Sequence, residues 1–394
     1  MIPIKIGPAY LLSVILLFLW LIEGDLADKW HRVITNPLTW IFWFYFAMPF
    51  ISLLWSDDLV YGLKMAKRGI PFLFIPLYMQ VSAKSDRNIY IHAFLASVAF
   101  TVLLALYNIV QIYLLPQLPE GLRSSGDVWQ IAPFLNHIMY GPVLAFGSYL
   151  IGHALLFQPL TKKKKVLFVV FFAITSVVIV YSGGRSGQAG YFVMIALLVY
   201  QKFAKKKLRA ALYAAAAVCL LFLTAYQASS LFQQRADLAL SQFQNYQQAT
   251  IESSVGLRMN YIVNSWEMFL SQPLLGVGVG DFIEEYARIN ARNSPQLGIT
   301  HNPHNQYLFA LSTTGLLGTL ALGGVLLGPL CLTRNISDEW SRVRVALLLL
   351  FAVICLAESY LWRSNTGLMF VAFSSILYSD KAELLSLEKR PFDV

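Results

Sequence analysis

The chain has 394 residues, of which 57% are apolar and only 13% charged, and its mean hydropathy is +0.58. A soluble domain of this size carries roughly 25% charged residues, so there is too little polar surface here to coat a globule in water. A soluble enzyme, a secreted disulfide scaffold and, despite the net charge of +9, a nucleic-acid-binding protein are excluded.

The apolar residues come in long blocks separated by short basic or Gly/Pro-rich stretches. About 20 apolar residues cross a bilayer as a helix, because lipid cannot satisfy backbone polar groups left outside one. Eleven spans are expected, near 8–22, 37–55, 62–81, 89–115, 136–157, 166–182, 187–201, 208–226, 305–332, 343–360 and 365–379. Lys64, Lys67 and Arg68 interrupt the third. The fold class expected is therefore an all-α integral membrane protein, a polytopic helical bundle. Met1–Gly7 lacks the basic region and small-residue cleavage site of a signal peptide, so the first span is expected to be retained. Cys219, Cys331 and Cys355 lie in or at the ends of apolar segments with no CxxC pair, and are read as buried small hydrophobes.

Orientation follows from the basic loops. The run Lys162 to Lys165 and the cluster Lys202, Lys205, Lys206, Lys207 and Arg209 should face the cytoplasm. Alternation then puts Ser182–Ser186, the loop 116–135 and the long segment 227–303 outside, and 333–342 and 380–394 inside. The chain divides on this reading into 1–226 with eight spans, the external loop 227–303, and 304–394 with three spans and a cytoplasmic tail. The external loop sets four arginines against six carboxylates, so the positive charge of the protein is a topology signal. Within it, Met259, Ile262, Trp266, Phe269 and Leu270 recur at helical spacing, with Asn260, Asn264 and Glu267 between them. This predicts an amphipathic helix over 256–271, lying on the membrane surface or roofing a cavity. No internal repeat suggests an inverted-repeat transporter.

Three places that could carry chemistry fall on the external side. The turn Ser182-Gly183-Gly184-Arg185-Ser186-Gly187 puts Arg185 at the membrane boundary, where a guanidinium usually has a partner. The plain alternative is a tight turn whose arginine reaches lipid phosphates. Arg258 opens the amphipathic helix; it either binds headgroups or joins Arg185 in holding a diphosphate through paired guanidinium hydrogen bonds. In His301-Asn302-Pro303-His304-Asn305, Asn302 reads as an N-cap and Pro303 as the first helical residue. His304 would then lie in the first turn, where the helix dipole disfavours imidazolium and favours a general base. Metal binding by the HxxH pair, or simple capping, competes with that reading; no third ligand stands at a recognisable spacing.

Weaker candidates accompany these. Gly276-Val277-Gly278-Val279-Gly280 follows Pro273 without a preceding strand and reads as a turn. Asp57 and Asp58 read as a solvated loop pair. Glu358 and Arg363 flank the last external turn, where they either line a cavity or form an ion pair.

An SGGR turn, a long external loop with GLR and W…QPLLGVGVGDF, then HNPHNQYL and a helix containing TTGLLG, resembles the O-antigen ligase family. Its relatives are the O-antigen polymerases and bacterial O-oligosaccharyltransferases. The resemblance runs from Tyr181 to Gly318, with compatible hydropathy on either side. It implies a helical GT-C-type fold of 11–12 spans in the bacterial inner membrane, with the site facing the periplasm. It also implies transfer of a whole glycan from undecaprenyl diphosphate to a sugar hydroxyl of lipid A–core, without cofactor or metal. By match to the family pattern, His304 would deprotonate the acceptor, and Arg185 and Arg258 would hold the diphosphate. His301, Arg288 and Arg292 would be further substrate contacts by proximity. A polymerase is the nearest rival, and a lipid-linked glycan flippase the non-enzymatic one. Polymerases often have two large basic external loops, whereas this chain has one, slightly acidic.

Overall fold

The computed structural model describes residues 6–82, 86–115, 131–244 and 254–379. Most of the expected loop 116–135, the tail 380–394 and the extreme N-terminus lie outside the described residues. The described chain is helical throughout, with no strand. Helices occupy all eleven expected spans. Six of them are long and apolar enough to cross a membrane, which makes this a multi-pass membrane protein: Pro37–Trp55, Arg87–Tyr113, His137–Phe157, Lys162–Tyr181, Lys207–Ala228 and Gln306–Thr333. Gly7–Ile22 and Ser364–Leu377 are shorter apolar helices.

Two spans depart from expectation in form. The third is broken into an α-helix Leu59–Ala66, a 3-10 stretch Lys67–Phe74 and an α-helix Ile75–Val81. Pro71 and Pro76 remove backbone donors there. The tenth ends at Ile354, so Glu358 stands in the connection that follows and not in a helix. Cys355 is buried as expected, but Cys219 and Cys331 are exposed among the described residues.

The chain forms two compact units, each assembled from separate stretches. One is drawn mainly from Asn88–Asp237 and Arg342–Ile354. Its core is His137–Phe157, whose apolar window is 83% buried, against 17% for Lys162–Tyr181 and Lys207–Ala228. Gly141 and Gly187 explain why. A Cβ on Gly141 would sit 2.6 Å from the Gly187 Cα, so His137–Phe157 and the helix Arg185–Phe203 meet backbone to backbone. Small residues at such crossings are how membrane helices gain dispersion contact when lipid is as apolar as their side chains.

The other unit comprises Leu12–Arg87, Leu238–Ser341 and the chain from Cys355 on. Here Pro37–Ile51 packs along Gln306–Thr333, with Ile41 against Gly324 and Gly328. The span Gln306–Thr333 is interrupted at Gly315, which has φ 61° and ψ −155°. The expected glycine-rich turn fills that break. Leu316 N–H donates to Pro273 O at 2.9 Å, while Val277 and Gly278 N–H donate to Ser312 and Thr313 O at 2.9 and 3.0 Å. The Val279 and Gly280 N–H groups are in turn taken by the Ser52 and Ser56 hydroxyls, each at 3.2 Å. Irregular backbone beside a membrane span persists only where such bonds replace the helical ones.

Gly276 illustrates how tight the junction is. Its φ is +70°, and a Cβ would lie 2.4 Å from the Thr313 carbonyl carbon. Gly276→Ala should therefore cost about 3 kcal/mol from left-handed backbone plus overpacking. Thermal unfolding in detergent would show a Tm well below wild type; an unchanged Tm would mean that the junction is looser than this.

Candidate active site

The site is built where two segments of the second unit are zipped together. Asn305, not Asn302, caps the helix Gln306–Thr333: its Oδ1 accepts from Tyr307 N–H at 2.9 Å and Leu308 N–H at 3.1 Å. Its Nδ2 donates to Leu356 O at 3.1 Å, and Gln306 N–H donates to Cys355 O at 2.8 Å. This corrects the placing of His304 in the first helical turn; it stands just before the cap. Asn302 cannot cap because its Oδ1 is taken by His304 N–H at 2.8 Å and by the Ser359 hydroxyl at 3.0 Å. His304 itself adopts φ 51°. A non-glycine residue in the left-handed region is uncommon and concentrates at functional sites.

That backbone turn aims the imidazole at Glu358. His304 Nδ1 lies 2.9 Å from Glu358 Oε2. The same oxygen accepts from Arg363 Nη2 at 2.7 Å, and Oε1 accepts from Ser359 N–H at 2.8 Å. The Glu358 side chain is 3% exposed and that of His304 36%. Burial alone would push the Glu358 carboxyl up, but the His304 hydrogen bond and the Arg363 charge outweigh it and hold it down at about 2. A carboxylate only accepts hydrogen bonds, so Nδ1 carries the proton and Nε2 presents a lone pair. A buried carboxylate that fixes the tautomer of a half-exposed histidine is the arrangement of a general base, and it steadies the imidazolium formed when that base takes a proton.

The roof over this base is the helix Ser254–Ser271, which matches the amphipathic helix expected over 256–271. Tyr261 lies over the imidazole, with ring centroids 5.6 Å apart. Arg258, one turn earlier, is exposed and forms no ion pair among the described residues. The amphipathy runs the opposite way to that of a soluble helix. Asn260 and Asn264 point inward and donate to Asn290 Oδ1 at 3.0 and 3.1 Å, while Asn293 donates to Asn264 Oδ1 at 3.1 Å. Met259, Ile262, Val263, Trp266 and Leu270 point outward, 37–60% exposed.

The other candidates are placed as follows. His301 is exposed, with its ring 6.5 Å from Tyr61 and its carbonyl accepting from the Tyr61 hydroxyl at 3.3 Å. Arg288 is paired with Glu285 at 2.8 Å, and Arg292 with Glu267. Asp58 is no free loop carboxylate, since it accepts from Tyr61 N–H at 2.9 Å and caps Leu59–Ala66. Arg185 belongs to the other unit, where it is the first residue of Arg185–Phe203 after an N-cap at Gly184. There it neighbours Arg235, whose guanidinium donates to Gly183 O. Burial, and then the Arg185 charge, hold the Arg235 pKa below its ordinary value.

With this geometry in view, the comparisons with known proteins can be read. Residues 170–323 match the family described as O-Antigen ligase. Over that segment the chain is similar to O-antigen ligases. The matched segment holds Arg185, Arg258 and His304, and it bears out the resemblance seen in HNPHNQYL and TTGLLG. The teichuronic acid biosynthesis protein TuaE of Bacillus subtilis (strain 168) is 25% identical over 298 residues, covering 73% of this chain. The match spans 59% of that relative's length. Glu358, which fixes the base, lies beyond the O-antigen ligase-like segment. Sequence reasoning weighed it as lining a cavity or as an ion-pair partner of Arg363, and missed its bond to His304. Tyr261 and Arg235 were not singled out either, one hidden in an amphipathic pattern and the other in a glutamine-rich stretch. The usable signal was Glu358 itself, because a carboxylate between two apolar helices needs a partner.

Proposed function

We propose that this chain is a glycosyltransferase of the O-antigen ligase and polymerase group. As a ligase, it would transfer a preassembled glycan from undecaprenyl diphosphate to a sugar hydroxyl of lipid A–core. The observation that carries this reading is the His304–Glu358 pair, a base with a fixed tautomer and an exposed nitrogen.

His304 Nε2 takes the acceptor hydroxyl proton while the oxygen forms a bond to the anomeric carbon. The bond from that carbon to the diphosphate breaks, and the lipid diphosphate leaves with the electron pair. Attack from the face opposite the leaving group inverts the centre. Arg258, in the unit that holds the base, is the candidate to hold the diphosphate and stabilise the charge that develops on it, a role that the family pattern also gives Arg185. His301, Arg288 and Arg292 lie further along the substrate path. The activated donor leaves the protein to supply orientation, anion stabilisation and a base, with neither nucleotide sugar nor metal.

The basic clusters at Lys162–Lys165 and Lys202–Arg209 support an inner-membrane protein whose site faces the periplasm, in a GT-C-type fold. The inverted amphipathy of Ser254–Ser271 supports a roof whose apolar side lies in the outer interface of that membrane, beside a path for two lipid-anchored substrates.

The test is a strain lacking the protein, with lipopolysaccharide and carrier-linked glycan measured side by side. Naked lipid A–core with long glycan stranded on the carrier is the expected result. Core bearing a single repeat unit would replace ligase by polymerase. Carrier-linked glycan trapped on the cytoplasmic side would make the protein a flippase and end the enzymatic reading.

A further inference from the structure

Away from the His304–Glu358 pair, the second unit holds a cleft of about 390 Å³. Trp55, Asp57, Gln272, Gly276, Val277 and Glu284 are among the residues that line it. Its remaining charged groups are already engaged. The Asp281 carboxylate accepts from the backbone N–H groups of Asp57 and Asp58 at 2.9–3.0 Å, and Glu285 is paired with Arg288 at 2.8 Å. The side chains of Asp57, Gln272 and Glu284 make no hydrogen bond or ion pair among the described residues. Three uncommitted acceptor-bearing groups thus share an open cleft with an indole.

We propose that this cleft is a saccharide subsite that takes a neutral or amino-bearing sugar residue of a glycan substrate. A pyranose offers hydroxyl donors around its edge and a C–H face on one side. The carboxylates and the amide match the first, and the indole matches the second. The volume holds about one or two pyranose rings, at the small end of ordinary ligand sites. Four carboxylates against one guanidinium select by sign: a uronate would meet like charge, and an ammonium its opposite. The proposal rests on the glycosyltransferase reading and adds to it a site for the glycan itself, separate from the diphosphate and the base. The sugar belongs either to the lipid-linked donor or to the acceptor.

Saturation-transfer NMR on the full chain in nanodiscs tests it, with methyl glucoside, methyl glucosaminide and methyl glucuronide as probes. The first two should give protein-dependent signals and the third none. Asp57→Asn with Glu284→Gln, both on exposed positions, should weaken glucosaminide binding about fivefold, the equivalent of about 1 kcal/mol. Trp55→Ala should do the same for all binding probes, and His304→Ala should leave the signals in place. An equal glucuronide signal, or signals untouched by both cleft variants, overturns the proposal. In a transfer assay the cleft variants should raise KM for the donor or for the acceptor, which names the source of the sugar; unchanged KM for both overturns it. Cleft-dependent sugar signals without transfer from any lipid-linked glycan would sink the glycosyltransferase reading and leave the cleft. Transfer with cleft-independent signals would do the reverse.

Discussion

Replacing His304 with alanine should abolish transfer while the protein remains folded and membrane-inserted. A positioned general base contributes about 10²–10⁴ in rate. The fold should tolerate the change, because Glu358 keeps its bonds to Arg363 Nη2 and Ser359 N–H. The Asn302 turn is also preserved, since it is made by the His304 backbone N–H and not by the ring. His304→Asn is the companion variant: asparagine suits the left-handed backbone at φ 51° and still cannot act as the base. Both should elute as wild type on size exclusion and show turnover reduced at least about 100-fold. Wild-type turnover by either folded variant would end the general-base assignment.

The second large effect is expected at Glu358. Glu358→Gln removes the charge that fixes the His304 Nδ1 proton and leaves the Arg363 guanidinium without its carboxylate. An amide in that place can also donate to Nδ1, which would put the proton on Nε2 and silence the base. Turnover should fall about 10²–10⁴-fold with KM for the donor little changed, since Glu358 positions the base and does not touch the diphosphate. A rise in KM alone would assign Glu358 to substrate binding instead.

The same carboxylate links stability to pH. Its folded pKa is about 2 against an ordinary 4.5, so its contribution is complete above pH 4.5 and drains away as pH falls toward 2. Wild type should lose Tm across that window more steeply than Glu358→Gln, which has no carboxylate to protonate. Parallel curves would show that the pair adds little to the fold.

How much of this was legible beforehand differs between fold and site. All eleven helical stretches could be read because hydropathy is local: each block is apolar in its own sequence, wherever it packs. The limits of that reading are instructive. Nothing local marks the break at Gly315, because its lost bonds are replaced by Pro273 O and the Val277 and Gly278 N–H groups, from a segment far away in the chain. Asn302 and Asn305 are equally good caps on paper. Only the competing demands of His304 N–H and Ser359 decide between them.

The sequence by itself therefore determined a helical, multi-pass membrane protein with a segment similar to O-antigen ligases and a histidine motif at the mouth of one span. Composition, block length and a contiguous motif are properties of neighbouring residues, and folding does not alter them. Tertiary structure alone decided what that histidine can do. Glu358 stands 54 residues from His304, and Tyr261 and Arg258 come from a helix that ends well before the motif. A base is made by the carboxylate that orients it, and that distance is set by packing, which no spacing along the chain encodes.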